Sequence, residues 1–159
     1  MTISETTFGP KQYLTIRKSI ATSQIADKQM YYDAGVKLAK YIKQNNLTIT
    51  ASWSVLYFLW DEQNHKAEIG IAFPIAETPM INDSEFTLTA IPESKAAMAV
   101  LEGSYEKLGE THQLLMQYAK NNSLDFNNVP VIAVEEYAVS PKQDNNPENW
   151  RTNIYYLHN

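Results

Sequence analysis

The sequence predicts an α+β domain of two β-α-β-β units related by a pseudo-twofold axis, with the helices on one side of the strands. Three observations carry this reading. The hydrophobic period switches between two and about 3.6 residues twice along the chain, each time in the order strand, helix, strand, strand. A helix-end segment recurs: YIKQNNL (41–47) falls on YAKNNSL (118–124), 77 positions later. The helix and strands around the two copies also correspond, and such self-similarity outranks any shorter motif. The repeat halves span about 8–77 and 84–159, and residues 1–159 form a single domain long enough to bury a sizeable core.

Each element has its own justification. QYLTIRKSIATSQI (12–25) is rich in β-branched residues and reads as a strand followed by a short loop. Over 29–45, Ala34, Leu38, Tyr41 and Ile42 recur at helical spacing, with Lys37, Lys40 and Lys43 on the wetter side. WSVLYFLW (53–60) is a strand, DEQNH a turn, and AEIGIAFPI (67–75) the antiparallel partner. After the polar connector AETPMINDSE, the stretch 86–103 gives a strand, a turn at Pro92 and a further strand. Ser104 is placed to cap a second helix over 105–122, whose stripe is Tyr105, Leu108, His112, Leu115 and Tyr118 or Ala119. VPVIAVEEY (129–137) and NWRTNIYYLHN (149–159) supply two last strands, joined by the loop AVSPKQDNNPE.

Composition narrows the function. The chain has no cysteine, which excludes disulfides, thiolate metal sites and thiol catalysis and suits a reducing cytoplasm. The start, MTISETTFGPKQ, is not a signal peptide, and no apolar run is long enough to span a bilayer, so no membrane role is expected. A net charge of −5 without a Lys and Arg cluster argues against nucleic acid as a direct partner and favours cationic or neutral ligands. Tyrosine dominates the aromatics, with 10 Tyr against 5 Phe and 3 Trp, as suits half-wet pockets and interfaces.

The pair Glu135 and Glu136 interrupts an apolar strand. Alternation puts Glu135 with Ala133 and Tyr137, and Glu136 with Ile132 and Val134. Two readings follow. In the first, both acids merely blunt the solvated end of an edge strand. In the second, Glu135 enters a cleft on the faces opposite the helices, shared with Asn153, Tyr155, Leu157, Ser54, Leu56, Phe58 and Trp60, while Ile154 and Tyr156 join the helix-side core. Small residues there give volume, rings attract cations, and Glu135 sets the accepted charge. A buried carboxylate needs a partner, and Tyr155 or Tyr105 is placed to donate it. Adjacent strand residues face apart, so the two acids do not form one acid/base pair, and Glu136 is the spectator.

The second half carries a resemblance. GSYEKLGETHQLLMQYAKNNSL, VEEYAVSP and NWRTNIYYL together resemble the GyrI-like small-molecule-binding family, which includes gyrase-inhibitor-like proteins and the effector-binding domains of multidrug-sensing transcription activators. Gly103, Tyr105 and Glu106 match its helix start; Glu135, Tyr137 and Pro141 match its acid-bearing strand and turn; Thr152, Ile154 and Tyr155 match its last strand. YFLWDEQNHKAEIGIAFPI is similar to its first-half hairpin, so the resemblance covers nearly the whole chain. It implies a duplicated β-α-β-β fold that binds lipophilic, aromatic or cationic compounds in a cleft with a central acid, the position of Glu135. Tyr137, Tyr155, Tyr105, Phe58, Trp60 and Asn153 complete the expected ligand set. Asn153 stands where the family usually has Glu, removing a negative charge near the cleft; His158 stands where proline is common, and Glu102 where histidine often lies. No helix-turn-helix precedes the domain, so a stand-alone binding module is expected.

Alternatives from the same resemblance are hydrolysis of reactive electrophiles, with Glu135 as general base and Tyr105 as proton donor, and inhibition of a protein partner such as gyrase or a regulator. No cofactor and no metal is expected. His65, His112 and His158 show no metal-ligand spacing, and haem would need an axial ligand, for which His112 is the candidate, although a histidine beside Leu108 and Leu115 is more often core. There is no Gly-x-Ser-x-Gly elbow and no phosphate-cradling glycine loop.

Overall fold

A computed structural model describes residues 2–159. Among the described residues eight strands and two α-helices follow in the order β1 (Ile3–Phe8), β2 (Lys11–Ala21), α1 (Lys28–Gln44), β3 (Ser54–Asp61), β4 (Lys66–Pro74), β5 (Thr87–Ile91), β6 (Ser94–Glu102), α2 (Leu108–Asn121), β7 (Ala133–Val139) and β8 (Arg151–His158). They form one antiparallel sheet in the order β1-β6-β8-β7-β3-β4-β2-β5, which curls into a half-barrel. The order reads the same from either edge when β1–β4 are exchanged for β5–β8. The α+β architecture matches the sequence reading, and each predicted strand and helix is present.

One strand escaped the sequence. β1 pairs with β6 although it directly precedes β2, while β5 precedes β6 yet pairs with β2. The two crossovers pass close together: a Cβ on Gly9 would lie 3.0 Å from the carbonyl oxygens of Ile91 and Pro92, and Gly9 has φ +84°. Glycine alone accepts both conditions comfortably.

The helices form for the reasons their sequences give. Asp27 caps α1 through its carboxylate, which accepts from the backbone N–H of Gln29 and Met30 at 3.1 and 3.4 Å. Ala34, Leu38 and Ile42 are its buried face, and α1 packs on β2 and β4. Seventy-seven positions on, Thr111, Leu115 and Ala119 are the buried face of α2, which packs on β6. The second helix starts later than expected: Tyr105–Lys107 form a 3-10 turn, and Ser104 makes no side-chain capping bond.

Both faces of the central strands are buried. The helix side holds Leu14, Ile16, Leu38, Val55, Tyr57, Ile69 and Ile71 around α1, and Ala97, Ala99, Leu115 and Ile154 under α2. The other side, inside the curl, holds Phe8, Tyr13, Leu56, Ala72, Val134 and Leu157. A bulge in β3 between Tyr57 and Leu59 decides which rings go where. An extra residue turns the strand over, so Tyr57 and Trp60 both pack on the helix side while Phe58 packs inside the curl. Among the described residues no helix is long and apolar enough to cross a membrane.

Candidate functional site

Glu135 sits at the middle of the sheet. It lies opposite Val55 of β3 on one side and Ile154 of β8 on the other, and is 2% exposed. This is an interior strand, so the edge-strand reading of the acid falls. Its face is also the reverse of the one expected. Directly paired residues share a face, and Val55, Tyr57, Ile154 and Tyr156 all belong to the helix side. Glu135 therefore points toward the helices and Glu136 points into the curl.

The carboxylate is fully engaged. Tyr57 and Tyr137 donate their hydroxyls to Oε1 at 2.8 and 2.9 Å, and His112 Nε2 lies 2.5 Å from Oε2. Bonds to an ionised acceptor are about twice as strong as neutral ones, and three of them hold the anion in an apolar setting. The relay continues outward: His112 Nδ1 lies 2.7 Å from the Tyr156 hydroxyl, which is also 3.4 Å from the His112 carbonyl oxygen. Burial first, and then the Glu135 charge, push the phenols of Tyr57, Tyr137 and Tyr156 up, so they stay protonated donors at neutral pH. The same two causes push Tyr105 up to about 12.

Rings wall the acid. Trp53 stacks on Tyr137 at 4.3 Å between centroids, and Tyr105 stands edge-on to Tyr137 at 5.6 Å. Tyr105 in turn stacks on Trp150 at 4.9 Å. Trp60 meets the edge of Tyr57, and Tyr31 lies against Trp53, both at 6.2 Å. The Tyr105 hydroxyl is buried without a hydrogen-bond partner among the described residues.

The expected ligand set thus divides. Glu135, Tyr137, Tyr105 and, through Tyr57, Trp60 come together on the helix side. Tyr155, Phe58 and Asn153 face into the curl. Tyr155 packs on Phe8 at 4.7 Å, and Phe58 carries the Arg17 guanidinium at 3.8 Å. Asn153 donates to Glu136 at 2.8 Å. Glu136 also pairs with Lys11 at 3.4 Å, so Asn153 does not alter the charge beside Glu135. The compensating donors are Tyr57, Tyr137 and His112 rather than Tyr155 or Tyr105. His112 is not placed as a haem ligand, because both ring nitrogens are engaged within the protein. Among the described residues no group of three His, Asp or Glu side chains is arranged to hold a metal.

Sequence reasoning missed Tyr57, His112 and Tyr156 as site residues. The signal was present: a lone histidine in the inward stripe of α2 and a lone acid in an apolar strand are complementary. The face was mistaken because the central strands are apolar on both sides, which erases the alternation that tells inside from outside.

The expected cleft carboxylate, Glu135, is itself shut off from solvent. Open grooves lie elsewhere, one of about 460 Å³ between Pro10, Pro74, Ile75, Ile91 and Pro92 and one of about 360 Å³ along α2 beside Met116, Ala119, Leu124, Phe126 and Tyr156. At the acid, His112 is partly open, with its side chain 22% exposed.

A family model described as the GyrI-like small molecule binding domain matches residues 1–158. No curated protein matches in sequence. Among solved structures, the chain is similar to the EcmrR C-terminal domain, with a TM-score of 0.75 and 17% identity, covering 99% of this chain and 97% of that one. Against EcmrR in a DNA complex the TM-score is 0.80 at 15% identity, and the chain spans 57% of that longer protein. SAV2435 bound to tetraphenylphosphonium gives 0.70 at 12% identity, covering 100% and 94% of the two chains. A hydrolase from Listeria innocua gives 0.59 at 12%, covering 98% and 90%. At these identities the likeness is one of fold.

Proposed function

Because this chain belongs to the GyrI-like small-molecule-binding family, we propose that it binds lipophilic, aromatic or cationic compounds at Glu135, between the sheet and the two helices. One observation carries the reading: a carboxylate 2% exposed, walled by tyrosine and tryptophan rings, whose ion-pair partner among the described residues is a histidine rather than a lysine or arginine. Such a site has a fixed anion and aromatic faces, and both attract a desolvated organic cation. Tyr137, Tyr105, Tyr57 and Trp60 supply the ring contacts. A ligand reaching the acid therefore displaces side chains already present, and the half-buried rings of Tyr105 and Trp53 are the candidates to move, since the indole of Trp150 is held by the Asp144 carbonyl oxygen at 2.7 Å. Signalling of the bound state to a regulator acting in trans belongs to the same proposal.

Thermal unfolding with tetraphenylphosphonium tests the reading. A ligand at a hundred times its Kd adds about 2.7 kcal/mol, or roughly 5–10 °C for a domain of this size. Glu135→Gln should lower the affinity for the cation about 10- to 100-fold, the worth of a charge-assisted contact, while a neutral ring compound keeps its affinity. An equal loss for both probes removes Glu135 from the role of charge selector.

A second reading has one observation in its favour. His112 and Glu135 at 2.5 Å form a pair able to take a proton from water, as hydrolysis of a reactive electrophile requires. Turnover of an activated ester or epoxide, abolished by Glu135→Gln and unaffected by Tyr105→Phe, would favour it with His112 rather than Tyr105 as the proton carrier.

A further inference from the structure

We propose that His112 is the resident counter-cation of the site, so that a cationic ligand reaching Glu135 takes the place of a histidine proton and releases it to solvent. The inference rests on the binding role of Glu135 and adds the residue that sets charge selectivity and couples it to pH.

Three observations lead here. First, a buried carboxylate is costly without a compensating charge, and among the described residues His112 is the side chain that forms an ion pair with Glu135, at 2.5 Å. Tyr57 and Tyr137 give hydrogen bonds and no charge. Second, the surroundings of His112 satisfy it in either charge state. As a neutral ring it donates from Nε2 to Glu135 and accepts at Nδ1 from the Tyr156 hydroxyl 2.7 Å away. As an imidazolium it donates from both nitrogens, and the Tyr156 hydroxyl turns to the His112 carbonyl oxygen at 3.4 Å. Rotation of one hydroxyl is thus enough to accommodate the proton, and no group is left orphaned. Third, His112 is 22% exposed at its side chain while Glu135 is 2% exposed, so the proton has a path to water that the acid lacks.

The groups facing His112 are Glu135 and, beyond it, Tyr137 from β7, Tyr57 from β3 at 5.8 Å between rings, and Tyr156 from β8. Tyr31 of α1 and Tyr105 before α2 also lie within the field of Glu135. Glu110 on its own helix and Lys107 in the turn before it are exposed. Among the described residues the carboxylate is therefore the one charge that bears closely on the imidazole. A permanently charged Lys in this place would oppose every cationic ligand at all pH values. A histidine can yield its charge between pH 5 and 8. When a ligand cation settles against Glu135, the imidazolium faces a like charge with its counter-ion taken, and the proton leaves to bulk water. One positive charge replaces another, and the site stays neutral overall.

Isothermal titration of the wild-type chain with tetraphenylphosphonium, which cannot itself exchange a proton, reads this directly. Run in two buffers of different ionisation enthalpy, at several pH values between 5 and 8, it should show release of up to one proton on binding. The association constant should climb with pH by up to tenfold per unit and then level off. Triphenylphosphine oxide, a neutral ring probe, should release nothing. In His112→Gln, which keeps an amide donor toward Glu135, cation binding should lose both the proton release and the pH slope. Cation binding by the wild type without proton release from pH 5 to 8, or a slope that survives in His112→Gln, overturns this inference while leaving the binding role intact. Failure of the cation to bind either protein overturns the binding role and this inference with it.

Discussion

The buried acid shows what a single residue can ask of its neighbours. Glu135 receives two phenol hydroxyls on one oxygen and an imidazole on the other, and each is a charge-assisted bond. Removing one donor leaves an anion under-compensated in a place water does not reach. Tyr57→Phe and Tyr137→Phe should therefore each destabilise the fold by about 1.5–3 kcal/mol. In a Glu135→Gln background, where the acceptor is neutral, the same changes should cost about 1 kcal/mol or less. Chemical denaturation of the four proteins in each cycle measures the difference. Equal losses in both backgrounds would mean that ring packing, not the bond to the anion, is what each tyrosine contributes.

Between strands, the decisive feature is the bulge in β3, because it sends Tyr57 to the acid and Phe58 to the opposite face. Gly70 of β4 completes the arrangement. A Cβ there would lie 2.5 Å from Thr15 Cγ2 and 2.9 Å from Phe58 Cε2, so the glycine lets the ring lie flat on the sheet. Thr15 is fully buried, while the Phe58 ring is half-buried and can swing out. Gly70→Ala should cost about 1–3 kcal/mol through overpacking. Combined with Phe58→Ala, it should cost less than the sum of the two single changes, as judged by denaturant midpoints. Here the limits of the sequence are visible. Leu38 and Leu115, each in an apolar stripe at helical spacing, announced both helices. The extra residue in β3 carries no compositional mark, so strict alternation put Phe58 and Trp60 together, and of the two it is Phe58 that lies on the face away from the acid. β1 was illegible for a different reason: Ser4 to Thr7 are exposed on an edge strand, and nothing apolar betrays them. At the helix, the position 77 residues before His112 is Gly35, so the spacing that links the two helices gave no hint of the polar pair.

The molecule as a whole concentrates its tyrosines where water is scarce, and that has a consequence for its stability at high pH. Tyr13, Tyr57 and Tyr137 are all buried, and burial is the largest cause raising each phenol above its ordinary value; the charge of Glu136 adds to it for Tyr13, and that of Glu135 for the other two. A raised pKa in the folded state means the fold holds its protons where the unfolded chain has begun to lose them. The stabilisation is therefore complete below about pH 10, the value of a free phenol, and is withdrawn as pH rises toward the folded values. Each such group removes about 1.4 kcal/mol per pH unit in that window, and three remove about 4. Against a total stability of roughly 5–15 kcal/mol, the fold should fail within a few pH units above 10. The failure should be cooperative: phenolate absorbance of the buried rings appears together with loss of the far-ultraviolet signal of the sheet, not ahead of it. Tyr13→Phe, which removes a hydroxyl with no hydrogen-bond partner among the described residues, should push the alkaline midpoint upward. Ionisation of the buried phenols in a chain whose sheet is still intact would show that these rings are reached by solvent without unfolding, and that the closed wall around Glu135 opens far more readily than its packing implies.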